Sequence, residues 1–127
     1  MSFDPTMPFQ SILAKVLAQN RDALGVLFLD ESGETVDVAC GSISADDMQL
    51  LGAYVGIYLR QVERFLSPDQ HGAVRWLQIE DRDLNVYTIP LPDGYHLVLA
   101  QKSPSLTAVA RRTMEEAREQ LVRELFH

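Results

Sequence analysis

The side chains able to do chemistry are few in this chain and far apart. Its three histidines are His71, His96 and His127. His71 falls in a Pro/Gly stretch, His96 opens an apolar run and His127 is the last residue, so none shares the short spacing of a metal site. The single cysteine, Cys40, has no CxxC partner and excludes an internal disulfide. On the inward side of its strand it reads as a small buried hydrophobe. Glu80, Asp81 and Asp83 cluster without the spacing or closing glutamate of an EF-hand, which is a solvated turn. Asp46 and Asp47 open a helix, where they complement its dipole. No serine sits in a GxSxG elbow, and no GxxxxGK[ST] or GxGxxG string offers a phosphate cradle. The expectation is no catalytic residue, no cofactor and no metal, hence no enzyme.

Trp76, Tyr87 and Tyr95 are the aromatics that could stack on bases, but only Arg75 and Arg82 lie near them. Packing on a sheet is the reading. The net charge of −7 argues against nucleic acid and against docking on anionic lipid. Such a charge is ordinarily a matter of solubility. No apolar run approaches the roughly 18 residues of a membrane span, so no membrane insertion is expected. Met1-Ser-Phe-Asp-Pro5 lacks the basic and apolar parts of a secretory signal. Together these point to the cytoplasm. With 127 residues and 46% hydrophobic content, one domain with its own core is expected.

The elements that position these residues follow from periodicity. Residues 1–8 are a lead-in and residues 9–127 the domain. Phe9, Ile12, Leu13, Val16 and Leu17 recur at helical spacing, which predicts a helix from Pro8 to Asn20. Gly25–Asp30 is a short apolar run that fits a strand covered on both faces. Asp30–Gly33 turns the chain into an alternating strand, Thr35–Cys40, with Val36, Val38 and Cys40 on one side. Ser44 caps a long helix to Leu66, which Ser67–Gly72 stops. Ala73–Glu80, Leu84–Pro90 and Tyr95–Gln101 are three more strands in a meander. Ser103 with Pro104 starts a last helix whose buried stripe is Leu106, Ala110, Met114, Ala117, Leu121 and Leu125. The order is α-β-β-α-β-β-β-α, an α+β fold with a single antiparallel five-stranded sheet and helices on both faces.

The middle helix, Ser44–Leu66, has too much apolar surface. Its apolar arc is roughly 200° wide, about twice the roughly 100° stripe of an ordinary surface helix. The first and last helices can share one face of the sheet, leaving this helix to cover the other alone. Met48, Leu51, Val55, Leu59 and Val62 then point inward, and the outer side is left for a second copy. Gly52 and Gly56 each cost the helix roughly 1 kcal/mol against alanine. Either they admit another backbone, or they clear space for the sheet beneath.

Several strings resemble the roadblock family, relatives of a dynein light chain whose bacterial branch includes MglB-like regulators of small Ras-like GTPases. They are Gly25-Val-Leu-Phe-Leu-Asp-Glu-Ser-Gly33 and Ile89-Pro-Leu-Pro-Asp-Gly-Tyr-His-Leu-Val-Leu99, followed by Ser103-Pro-Ser-Leu106 and Val109-Ala-Arg-Arg112. The resemblance runs from about Phe9 to Leu125 and implies a roadblock/profilin-like fold. It implies a homodimer in which middle helices pack together and the following strands join two sheets. Leu50, Tyr54, Ile57, Gln61 and Phe65 are then the candidate interface on the helix, with Val74, Arg75 and Trp76 on the joining strand. It implies a non-enzymatic regulator or scaffold of a small Ras-like GTPase, activating or adaptor in role. No arginine stands out as a supplied finger; Arg60 and Arg64 lie near the interface. The alternative is a small-molecule sensor of PAS, GAF or profilin-like type, since these share a central antiparallel sheet with flanking helices.

Overall fold

A computed structural model describes residues 9–66, 69 and 72–126. Helix α1 (Gln10–Gln19) leads into strands β1 (Ala23–Leu29) and β2 (Thr35–Cys40). Helix α2 (Ala45–Leu66) follows, then β3 (Leu77–Glu80), β4 (Leu84–Pro90), β5 (His96–Lys102) and helix α3 (Thr107–Leu125). The five strands form one sheet in the order β2-β1-β5-β4-β3, with every neighbouring pair antiparallel. This is the expected element order and layer architecture. The expected lead-in at residues 1–8 lies outside the described residues, as does most of the expected helix stop at Ser67–Gly72.

Each face of the sheet carries its own core. Leu13 and Val16 of α1 and Met114 and Leu121 of α3 pack on Val26, Phe28, Tyr87, Leu97 and Leu99. On the opposite face Met48 and Val55 of α2 pack on Leu27, Leu29, Val86, Val98 and Ala100. Alternation along β1 therefore feeds both cores, which is why its sequence is continuously apolar. Each such side chain, fully buried, contributes about 1.5–3 kcal/mol. The β1–β2 turn is held by Asp30, whose Oδ1 accepts from the Ser32 hydroxyl at 2.7 Å, the Ser32 N–H at 2.9 Å and the Glu34 N–H at 3.0 Å. These bonds, the Ser32 hydroxyl first, hold the Asp30 carboxyl below its usual pKa.

Four expectations are corrected. On β2 it is Asp37 and Ala39 that are buried, while Val36 and Cys40 are exposed. Both faces of the sheet are covered, so alternation alone does not say which side is inward. At α1's first residue the Gln10 amide, its nitrogen turned toward β2 as its neighbours require, donates to Asp37 Oδ1 at 3.0 Å and to Val38 O at 3.2 Å. Asp37 Oδ1 also accepts the Val38 N–H at 2.8 Å. Strand β3 begins at Leu77, so Ala73–Trp76 precede it as irregular chain. Continuing the register would set Arg75 opposite Pro90, which has no N–H to give.

The last helix begins at Thr107, not at Pro104. The Ser103 hydroxyl donates to Asp81 O at 3.1 Å, and Ser105 Oγ accepts from Asn85 Nδ2 at 2.7 Å and shares a 2.6 Å bond with Tyr87 Oη. With these serines tied to β4 and the turn before it, Leu106 is 71% exposed and Thr113 takes the inward place in the stripe. On α2 the inward row is Met48, Gly52, Val55 and Leu59, and Val62 is exposed. The α2 start is as expected, the Asp47 N–H donating to Ser44 Oγ at 3.1 Å.

The two glycines of α2 separate cleanly. A Cβ at Gly52 would overlap Leu27 Cδ2, whereas one at Gly56 would meet only Arg60 Nη1 at 3.7 Å. Gly52 thus clears space for the sheet. Gly52→Ala is expected to destabilise the fold by about 1–3 kcal/mol. Gly56→Ala is expected to be neutral or to stabilise by up to about 1 kcal/mol. Urea unfolding at one fixed protein concentration measures both.

Candidate functional site

The inward row of α2 dictates what faces outward. At about 100° per residue, Leu50, Tyr54, Ile57, Tyr58, Gln61 and Phe65 fall in one arc on the far side from Met48 and Leu59. The apolar members of that arc are exposed: Leu50 and Tyr54 by 55%, Ile57 by 44%, Tyr58 by 54% and Phe65 by 88%. Five large apolar side chains on one helix face make a patch on the order of several hundred Å². All five α2 residues expected at the interface lie in this stripe, and Tyr58 extends it. Tyr58 belongs to the same helical arc as Tyr54 and Phe65, which was the signal for it in the sequence.

The segment before β3 divides. Val74 is half-buried and Arg75 exposed. Trp76 is turned to the α1–α3 side, its ring 5.5 Å from Tyr87 and capped by the Arg111 guanidinium at 5.1 Å. The sheet therefore stands between Trp76 and the α2 stripe. Ile79, by contrast, is paired with Val86, and cross-strand partners share a face. It sits on the α2 side at the outer strand and is 42% exposed. Period-two alternation of Leu77 with Ile79 was the signal for it.

Among the described residues no group of three or more His, Cys, Asp or Glu could hold a metal ion. Among them, too, no helix is long and apolar enough to cross a membrane. Two surface cavities flank α3. One of about 640 Å³ lies between Asn20–Asp22, Gln101–Ser105 and the exposed Leu106. The other, about 730 Å³, lies between Glu63, Val74, Arg75, His96 and the α3 residues Arg111 and Arg118. A sensor would line its pocket with apolar core residues. The second touches Ile89 and Leu91 of the α1–α3 core, and neither reaches the apolar residues packed between α2 and the sheet.

Among the described residues His96, at the start of β5, is a histidine with a perturbed environment. Burial pushes its pKa below the usual 6.5, the nearby Arg60 charge adds to this, and a hydrogen bond with the Gly94 backbone acts against it. A histidine kept neutral by the fold is protonated first in the unfolded chain. Its contribution is thus complete above about pH 6.5 and is lost progressively as pH falls below that. Chemical denaturation of the wild type is expected to show stability dropping between pH 7 and pH 5, with a shallower drop for His96→Gln.

No protein-family model matches the sequence, and no curated protein does. Solved structures do match. A Roadblock/LC7 domain from Streptomyces avermitilis superposes with a TM-score of 0.79 at 14% identity, over 93% of this chain and 98% of that one. MglB of Myxococcus xanthus gives 0.81 at 12% identity, over 94% and 96%. A structure of MglB in a tetrameric arrangement gives 0.83 at 14% identity, over 97% and 91%. At these identities the likeness is one of fold: the chain has the Roadblock/LC7 fold over nearly its whole length.

Proposed function

We propose that this roadblock-fold chain is a cytoplasmic, dimeric, non-enzymatic regulator or scaffold of a small Ras-like GTPase, acting as an activator or an adaptor. The observation that carries the reading is the outward stripe of α2, Leu50, Tyr54, Ile57, Tyr58 and Phe65. A monomer that left this stripe in water would forgo burial worth about 25 cal/mol per Å² of apolar surface. Ile79 on the same side of the sheet, next to the open edge of β3, extends the surface that a second copy would cover.

The GTPase belongs to the proposal through the fold shared with MglB and through the family resemblance of the two hairpin strings. Its nucleotide and its catalytic groups would be its own. This chain would supply a rigid, two-fold platform. Val74 and Arg75 would lie at the junction of the two sheets, while Trp76 supports that segment from the opposite face by packing on Tyr87.

Sedimentation velocity at micromolar concentration is expected to give a dimer, and the double variant Tyr54→Glu/Ile57→Glu a monomer or an aggregate. A wild type that sediments only as monomer removes the dimer. Pull-down with small GTPases from the same genome, loaded with GTP or with GDP, is expected to retain one of them. Retention of none in either state removes the partner.

A further inference from the structure

Four exposed charges stand toward the two ends of α2. Asp46 and Asp47 stand in its first turn and Arg60 and Arg64 in its last turns. Among the described residues none of the four is in an ion pair. Eighteen positions separate Asp46 from Arg64, five turns at about 3.6 residues each, so they lie on one line along the helix. That line runs beside Leu50 and Ile57, along one border of the apolar arc. The helix is acidic at one end of that border and basic at the other.

We propose that this charge pattern makes α2 self-complementary in one orientation only: antiparallel, centred near Val55, with Asp46 of each copy against Arg64 of the other. The inference rests on the dimer proposed above and deepens it. In a two-fold interface residue i meets j while j meets i, so a single Asp–Arg relation yields two ion pairs. In an antiparallel pair each border of one stripe meets the same border of the other. The apolar positions agree with that centre, since Leu50 with Gln61 and Tyr54 with Ile57 are each symmetric about a point just after Val55. A parallel pair would set this border of one helix against the opposite border of the other, so Asp46 and Arg64 of the two copies would not meet. It would also align the two helix dipoles, where the antiparallel pair opposes them.

The geometry is restrictive. Each ion pair would lie about 13 Å from the two-fold axis at about 1.5 Å per residue. At a crossing angle of about 20° the helix ends stay within reach of an arginine side chain, whereas at about 50° they splay beyond it. The shallow crossing is therefore part of the proposal. These same charges also favour the dipole of their own helix, an effect within one copy that depends on neither register nor partner. Asp46 and Arg64 thereby become determinants of which helices this one accepts.

Charge exchange tests this. D46R alone and R64D alone each turn both ion pairs into like-charge contacts and are expected to weaken the dimer about tenfold or more. The double variant D46R/R64D restores both pairs and is expected to regain most of the wild-type affinity. An equimolar mixture of the two single variants is expected to give predominantly heterodimer by native mass spectrometry, because both pairs reform between unlike copies. Thermal unfolding followed by circular dichroism checks that the variants are folded, and the mixture reads pairing even where the single variants are less stable. A wild-type dimer with single variants equally tight, or a statistical mixture of homodimers and heterodimers, overturns the register and leaves the dimer standing. A monomeric wild type overturns both.

Discussion

The close approach of α2 to the sheet at Gly52 is the constraint on which the rest depends. With no side chain at that position, the helix settles onto Leu27 and Leu29. Seating it there sets its rotation, which sends Met48, Val55 and Leu59 into the core. The same rotation leaves Leu50, Tyr54, Ile57 and Phe65 outside. The outward stripe is thus the geometric complement of a packing requirement, and it would move around the helix if the contact at Gly52 were relaxed.

The opposite face is held differently. There α1 and α3 share the sheet, and their join is polar as well as apolar. Asn20 Nδ2, at the end of α1, donates to Val16 O and to Thr113 Oγ1 of α3, each at 2.9 Å. Gln101 Nε2 donates to Arg21 O at 2.6 Å. Directional bonds between buried groups fix how two helices register, which apolar contact alone does less sharply. One face of the domain is thereby finished within the chain, and the other keeps its apolar surplus.

Much of this was legible in the sequence, and the failures share a cause. β1, β4 and β5, the turns and the capped start of α2 carry local signals, and the structure bears them out. The facing of β2 was not legible, because a sheet covered on both sides has no solvent face to orient an alternating strand. The start of α3 was misread because Ser103 and Ser105 bond to β4 and the turn before it, partners some twenty residues away that no local pattern reports. The surplus on α2 was legible as a width of arc. The role of Gly52 was not, since a helix sequence does not say which glycine lies over a leucine. Trp76 read as one stretch with Val74 and Arg75, yet its ring belongs to the other core.

The Gln10–Asp37 arrangement on β2 reaches beyond its own strand. β2 is an outer strand, and an outer strand is a template for unlimited growth. At Val38 both main-chain groups are already engaged, the N–H by Asp37 and the carbonyl by Gln10. Of the two outer strands, β2 is thus blocked at its centre, at Val38. Copies joined by their β3 margins would present this blocked position at each extremity. A further strand adding there would have to displace two bonds that the chain already makes to itself.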